Sequence, residues 1–222
     1  QDEIPVHLKV ETGMNRLGFD EDNLDEALLE LQAHPQLRVV SVFSHLAASE
    51  NPELDAFTHE QARRFESAWL RLSEGLGYRP LRHILNTNGI ARFPQYQMDM
   101  VRLGIGLYGI PTENLDLQPV LCLKAAISQI RTLREGDTVG YGRRGAGEAG
   151  MRIATISIGY ADGLLRAAGN GRFSVLIRGR RAPTVGNICM DMCMVDISQI
   201  PDAREGDPVV VFGPGLPVEE LA

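Results

Sequence analysis

The sequence predicts two unlike halves, an α/β segment followed by a β-rich one. Strand-like and helix-like patterns alternate through the first half, whereas past about Leu117 only short apolar runs separated by turns remain. Between Pro111 and Pro119, Pro, Asn and Asp accumulate without apolar periodicity, which marks a boundary. The expected division is 1–115 and 116–222.

In the first half, Val6 to Val10 is a short β-branched run, followed by a glycine-containing turn from Gly13 to Gly18. An amphipathic helix fits Asn23 to Ala33 and is ended by His34-Pro35. Leu37 to Phe43 is the next apolar strand. A longer helix is expected from about Leu54 to Glu74, with Leu54, Phe57, Phe65, Ala68, Trp69, Leu72 and Leu76 on one face and Gly75 and Gly77 ending it. Arg82 to Leu85 reads as a third strand, Gly89 to Phe93 as a short helical piece, and Met100 to Leu103 as a fourth strand. Repeated βα units imply a parallel sheet or barrel. In the second half the strand-like runs are Val120 to Ile130, Arg152 to Ile158, Phe173 to Ile177, Met192 to Ile197 and Pro208 to Phe212. Two turns there echo each other, Arg134-Glu135-Gly136-Asp137 and Arg204-Glu205-Gly206-Asp207, and no third copy makes an array of them.

With 222 residues and 44% hydrophobic content the chain can bury a sizeable core. No apolar run approaches the roughly 18 residues of a membrane span, and the Gln1-Asp2-Glu3 start does not read as a signal peptide. A net charge of −7 disfavours nucleic acid and anionic membranes as partners, and leaves small molecules. Three cysteines, Cys122, Cys189 and Cys193, are an odd number that favours reduced thiols and a cytoplasmic location. Cys189 and Cys193 have no second pair or nearby histidine, so no metal site is expected. Of 22 basic residues only Lys9 and Lys124 are lysines, which leaves two candidates for amine chemistry.

Polar residues fall where βα folds build sites, at the strand exits. Lys9, Glu11 and Arg16 lie in or after the first strand, Ser44 and His45 after the second, Asn86 and Thr87 after the third, and Arg102 and Gly104 in or after the fourth. Each has a structural reading too: Lys9 and Glu11 as a strand-end ion pair, His45 as a satisfied rim histidine, Met190 as core, Cys189 as a small buried hydrophobe. In the second half, Ile158-Gly159-Tyr160-Ala161-Asp162-Gly163 places a tyrosine between a flexible glycine and an acidic turn. That tyrosine reads either as a proton carrier or as an amphipathic rim residue.

Six segments in order resemble the pyridoxal-phosphate-dependent alanine racemases. They are Val6 to Phe19 (VHLKVETGMNRLGF), Phe43-Ser44-His45, Asn86-Thr87 ahead of Arg92-Phe93-Pro94, Met100 to Gly109 (MVRLGIGLYG), Ile158 to Gly163, and Val185 to Asp191 (VGNICMD). The resemblance implies a partial (βα) TIM-type barrel, here its C-terminal half, followed by a β-rich domain, with active sites shared across a homodimer. It implies an isomerase that interconverts L- and D-alanine by a two-base mechanism and supplies D-alanine for peptidoglycan. By the same resemblance Tyr160 is one base, acting in the partner subunit's site, and His45 is its ring neighbour. Arg102 faces the pyridine nitrogen; a guanidinium holds its proton, so the ring stays unprotonated and is a weaker electron sink, which limits transamination. Arg16 reaches the cofactor's phenolic oxygen and the substrate carboxylate, and Lys9 resembles a lysine that is often carbamylated to hold that arginine. Asn86 and Thr87, with the backbone amides of Gly104 and Ile105, resemble the cofactor's phosphate side. Met190 and Asp191 resemble residues at the substrate carboxylate and the site entrance.

The chain departs from that family pattern in one large respect. The lysine segment that links covalently to the cofactor has no counterpart, since Lys9 lies on the wrong strand and Lys124 in the β-rich half. A complete barrel takes about 250 residues, roughly twice the barrel-like part here. The family's later phosphate-contacting tyrosine has no counterpart before Ala222. The chain is therefore expected to be a fragment or one piece of a split racemase, inactive alone, whose partner is a second copy or the missing barrel half. Smaller departures are Thr87 for serine, Glu11 for aspartate and Asn187 for arginine. The alternatives are a serine or broad-specificity racemase, and a non-catalytic remnant or interaction module.

Overall fold

The computed structural model describes residues 3–112 and 114–221; Gln1, Asp2, Glu113 and Ala222 lie outside them. The chain divides into two compact units, Gln1–Gln118 and Pro119–Ala222.

The first unit is built on strands β1 (Ile4–Lys9), β2 (Leu37–Phe43) and β3 (Leu81–His83), all parallel in the order β1-β2-β3. Helix α1 (Leu24–Ala33) joins β1 to β2, and α2 (Asp55–Leu76) joins β2 to β3. A short helix α3 (Thr87–Arg92) follows β3. Local chemistry sets these boundaries. The Asp20 carboxylate accepts from the Asn23 amide in the 3-10 turn ahead of α1, and Asn51 does the same for Glu53 ahead of α2, with Pro52 at the first helical position. Gly77, at φ 75°, ends α2 in the left-handed conformation that glycine adopts without cost. Gly75 is still helical, so of the two glycines expected to end the helix only Gly77 does so.

Register sorts the two faces of this sheet. Leu8 pairs with Val42 and Val42 with Arg82, and Leu8, Val10 and Val42 are buried in one cluster with Leu24, Leu28, Phe65, Trp69 and Leu72. That apolar face is covered by the helices. Arg82 on the same side chelates Glu66 of α2 at 2.6 and 2.7 Å and lies over the Trp69 ring at 4.4 Å. In-register partners share a face and alternate residues do too. His7, Ser41, Phe43 and His83 therefore stand together on the opposite face, with Lys9 next along β1.

The fourth strand expected at Met100 to Leu103 is not formed. The segment does run beside β3: the Asp99 amide bonds the Arg82 carbonyl at 3.2 Å and the Arg102 amide bonds that of Leu85 at 3.1 Å. Between them the Ile84 carbonyl, which alternation would offer to a strand amide, is taken by the Arg102 guanidinium at 3.2 Å. A left-handed Met98, at φ 51°, also breaks the approach.

The second unit is a closed antiparallel barrel. Its strands are β4 (Leu123–Thr132), β7 (Arg152–Ile156), β8 (Ser174–Ile177), β9 (Arg180–Val185), β10 (Cys193–Asp196) and β11 (Pro208–Phe212), while β5 (Thr138–Val139) and β6 (Gly145–Ala146) form a separate ribbon. The barrel order is β10-β7-β4-β11-β8-β9, and β9 pairs with β10 to close it. Inward residues alternate along each strand: Ala154 and Ile156, Val175 and Ile177, Cys193 and Val195, Val209 and Val211 all have negligible exposure. Closure removes the open edges that so many short strands would otherwise present.

Candidate functional site

The polar face of the first sheet carries a continuous hydrogen-bonded chain centred on Arg102. Its Nη1 donates to His83 Nδ1 at 2.5 Å and to the His83 carbonyl at 3.3 Å. Nη2 donates to the carbonyls of Ser44 at 2.7 Å and Ile84 at 3.2 Å, and lies 3.3 Å from His45 Nδ1. Because Arg102 can only donate, His83 Nδ1 must accept, which puts the imidazole proton on Nε2. Nε2 then donates to Ser41 Oγ at 3.1 Å, and that hydroxyl donates to His7 Nδ1 at 2.6 Å. His83 is also stacked on Phe43, with ring centroids 5.2 Å apart and planes 5° from parallel.

Electrostatics fix the protonation state of this chain. Burial, then Arg102, then His7 push the His83 imidazole down to about 4, so it is neutral at physiological pH. His45 is also held below the ordinary imidazole range, by burial and by the charges of Arg102, Arg16 and Lys9. Burial lowers Arg102 itself from its usual value. A neutral His83 and three main-chain carbonyls thus hold Arg102 without any carboxylate. Among the described residues Arg102 Nε has no acceptor, so one donor of the fork remains for a bound group.

Beside it, Asn86 caps α3 by accepting from the Gly89 amide at 2.9 Å. Thr87 Oγ accepts from the amides of Gly104 at 3.0 Å and Gly106 at 3.1 Å. A side chain added at Gly104 would meet nothing nearer than Thr87 Oγ at 3.8 Å, so the main chain at Gly104 is open to a close approach while its amide is engaged by Thr87. Among the described residues the Ile105 amide, next in line, has no partner.

The loop after β1 is organised by Glu11. Its carboxylate accepts from the amides of Gly13 at 2.5 Å and Arg16 at 3.4 Å, and bonds from the Asn15, Gly13, Met14 and Arg16 amides hold it below the usual carboxylate range against the opposing effect of burial. Glu11 thus folds the loop that carries Arg16. That loop is anchored underneath by Thr12, whose hydroxyl meets Ser44 Oγ at 2.7 Å.

In the second unit, Tyr160 opens a 3-10 turn (Tyr160–Asp162) just past β7. Its amide bonds the Cys189 carbonyl at 2.9 Å, and the Ala161 amide bonds that of Met190 at 3.0 Å. A side chain at Gly159 would lie 2.2 Å from the Met190 carbonyl oxygen, so only glycine permits this approach. Tyr160 is 39% exposed, and the Arg166 guanidinium lies 5.5 Å from its ring centre. Met190 is 54% exposed and so is not core. Asp191 is exposed on the same turn, and Asn187 ties two loops by donating to the Tyr141 carbonyl and accepting from Asn170, both at 3.0 Å. Cys189 is half-buried, whereas Cys193 is fully buried, its thiol pushed up to about 12 by burial and by Cys189.

Arg102, His45, Thr87, Gly104 and Ile105 therefore lie together in the first unit with Lys9 and Arg16 nearby, and Tyr160, Met190 and Asp191 lie together in the second. His7, Ser41 and His83 were not singled out from sequence. Their signal was the alternation of His7 and Lys9 with Val6, Leu8 and Val10 on a strand whose apolar side meets helices. Among the described residues no helix is long and apolar enough to cross a membrane, and no group of three or more His, Cys, Asp or Glu side chains is placed to hold a metal.

Residues 1–112 match the family model for the alanine racemase N-terminal domain, and residues 120–222 match that for its C-terminal domain. An alanine racemase from Nitrosospira multiformis is 40% identical over 99% of this chain, and one from Nostoc is 39% identical over 95%. Among solved structures, an alanine racemase from Clostridium difficile superposes with a TM-score of 0.91 at 33% identity, and the biosynthetic enzyme from Pseudomonas aeruginosa with 0.80 at 37%, each covering the whole chain. These similarities identify the architecture as a partial TIM barrel with a β-rich C-terminal domain. The chain spans 55–61% of the length of these relatives. With both family models matched in order along its length, the chain belongs to the alanine racemase family.

Proposed function

We propose that the chain is part of an enzyme that interconverts L- and D-alanine with pyridoxal 5'-phosphate, the first unit being the C-terminal half of its barrel and the second its β-rich domain. The observation that carries this reading is Arg102. A guanidinium braced by a neutral imidazole and by carbonyls, with Nε uncommitted, suits a neutral pyridine nitrogen. The unpartnered amide of Ile105, on the segment that Thr87 holds through its bonds from the Gly104 and Gly106 amides, suits a phosphate oxygen. Those two ends fit pyridoxal phosphate.

The cofactor supplies the electron sink that makes an α-proton acidic. The chain's own residues then do three things. Arg102 binds the ring without giving up a proton, because its supports all accept. Arg16 binds the substrate carboxylate from the loop shaped by Glu11, and a carbamylated Lys9 would hold that arginine in place. Tyr160 moves the α-proton on one face, with Met190 and Asp191 at the carboxylate and entrance. Exposed Tyr160, Leu165, Met190 and Met192 favour a homodimer in which this surface completes the partner's site. Three unpaired cysteines accord with a cytoplasmic enzyme.

The complete protein reconstituted with pyridoxal phosphate should interconvert the alanine enantiomers, and Arg102→Glu should add transamination by permitting a protonated ring. Bound cofactor without interconversion of alanine would overturn the reading.

A further inference from the structure

We propose that Gln61 of α2 is a positioning residue, whose single amide sets the backbone that carries His45 and the start of the loop that carries Arg16. Gln61 lies on the apolar face of α2, between Thr58 and Phe65, with no exposure to solvent. A glutamine in an otherwise greasy stripe is costly to bury unless every polar atom is used. Here all are engaged: Oε1 accepts from the Ala47 amide at 2.9 Å, and Nε2 donates to the His45 carbonyl at 3.1 Å and to Thr12 Oγ at 3.3 Å.

The place of these partners gives the amide its significance. Strand β2 ends at Phe43, so His45 and Ala47 stand on backbone that has left the sheet ladder. Gln61 supplies the bonds the ladder no longer provides. Thr12 closes a ring, because its hydroxyl also meets Ser44 Oγ at 2.7 Å, while the Ser44 carbonyl is the closest acceptor of Arg102 Nη2. Next to Thr12, Gly13 packs on α2 so closely that an added side chain would meet Phe57 at 2.7 Å and Gln61 at 3.4 Å. One planar amide therefore locks the exit of β1 to the exit of β2, and both to the segment on which Arg102 docks. This inference rests on the reading that His45 and Arg16 serve the cofactor site.

The test uses two variants that remove the amide without adding a charge near His45: Gln61→Met, which keeps length, and Gln61→Leu, which shortens and branches the side chain. Histidine ring titrations by NMR on the full chain give a readout that a general loss of stability does not imitate. Burial first, and then the charges of Arg102, Arg16 and Lys9, hold His45 below the ordinary imidazole range, and both depend on where the backbone places its ring. In Gln61→Met its midpoint should move up toward that of a free imidazole, while the His83 midpoint stays near 4. Gln61→Leu, which also removes the amide and adds no charge beside His45, should shift His45 in the same sense if the methionine variant does not fold. A His45 midpoint unchanged in a folded variant overturns the proposal. Alanine turnover by the complete protein separates the two layers: an unchanged rate beside a shifted His45 upholds the positioning and removes His45 from the catalytic reading.

Discussion

Replacing His83 with glutamine should reduce the acid sensitivity of the first unit. The imidazole is pushed from 6.5 down to about 4 in the folded protein. Its charged form is disfavoured there, so the unfolded state binds more protons between those values and stability falls as pH falls from about 6.5 toward 4. A downward shift of this size, at about 1.4 kcal/mol per unit, makes the difference between pH 7 and pH 4 about 3 kcal/mol. His83 is 4% exposed, so solvent screening does little to reduce that figure. Glutamine keeps an oxygen to accept from Arg102 and does not titrate. The only tryptophan, Trp69, is buried in this unit with its indole N–H on the Pro80 carbonyl at 2.9 Å, and its fluorescence reports the urea transition directly. The wild-type transition should lose about 3 kcal/mol more than that of His83→Gln between pH 7 and pH 4. Equal losses in the two proteins would refute the assignment of a neutral His83 as the support of Arg102.

Three further outcomes follow from packing and hydrogen bonding. Phe65→Ala, at a position with no exposure, should cost the first unit about 3–5 kcal/mol in the same urea transition, and a loss below about 1 kcal/mol would show that Phe65 is not a core anchor. Thr87→Val removes the acceptor of two amides, at about 1–3 kcal/mol of stability, and should weaken binding of pyridoxal phosphate, whereas Thr87→Ser should leave both near wild type; equal binding by the valine variant would remove Thr87 from the cradle. Gly159→Ala forces a carbon to 2.2 Å from the Met190 carbonyl and should shift the Tyr160 and Ala161 amide resonances, while unshifted resonances would show that the turn is not pinned there.

The sequence was most legible where pattern and period agree. The β1-α1-β2-α2-β3 alternation, the change to β structure and the clustering of polar residues at strand exits all have local signatures. Legibility failed where a tertiary contact overrides the local pattern. Met100 to Leu103 has the composition of a strand, yet the Arg102 side chain occupies a carbonyl that its ladder would need. Strand β9 was hidden by Arg180, Arg181 and Pro183, whose side chains face outward while Ala182, Thr184 and Val185 are buried. The polar face of His7, Ser41 and His83 depends on the register of three strands, which no single segment encodes. Gln61 was unreadable for a related reason, since its partners are backbone groups of a loop that composition does not distinguish.

Deuterium exchange into each enantiomer of alanine, catalysed by the complete Tyr160→Phe protein in heavy water, tests the central claim most directly. Phenylalanine keeps the ring and removes only the hydroxyl. If Tyr160 moves the proton on one face, exchange into one enantiomer persists, while exchange into the other and net racemisation both fall by about 10²–10⁴. An equal fall for both enantiomers, or none for either, would contradict the account.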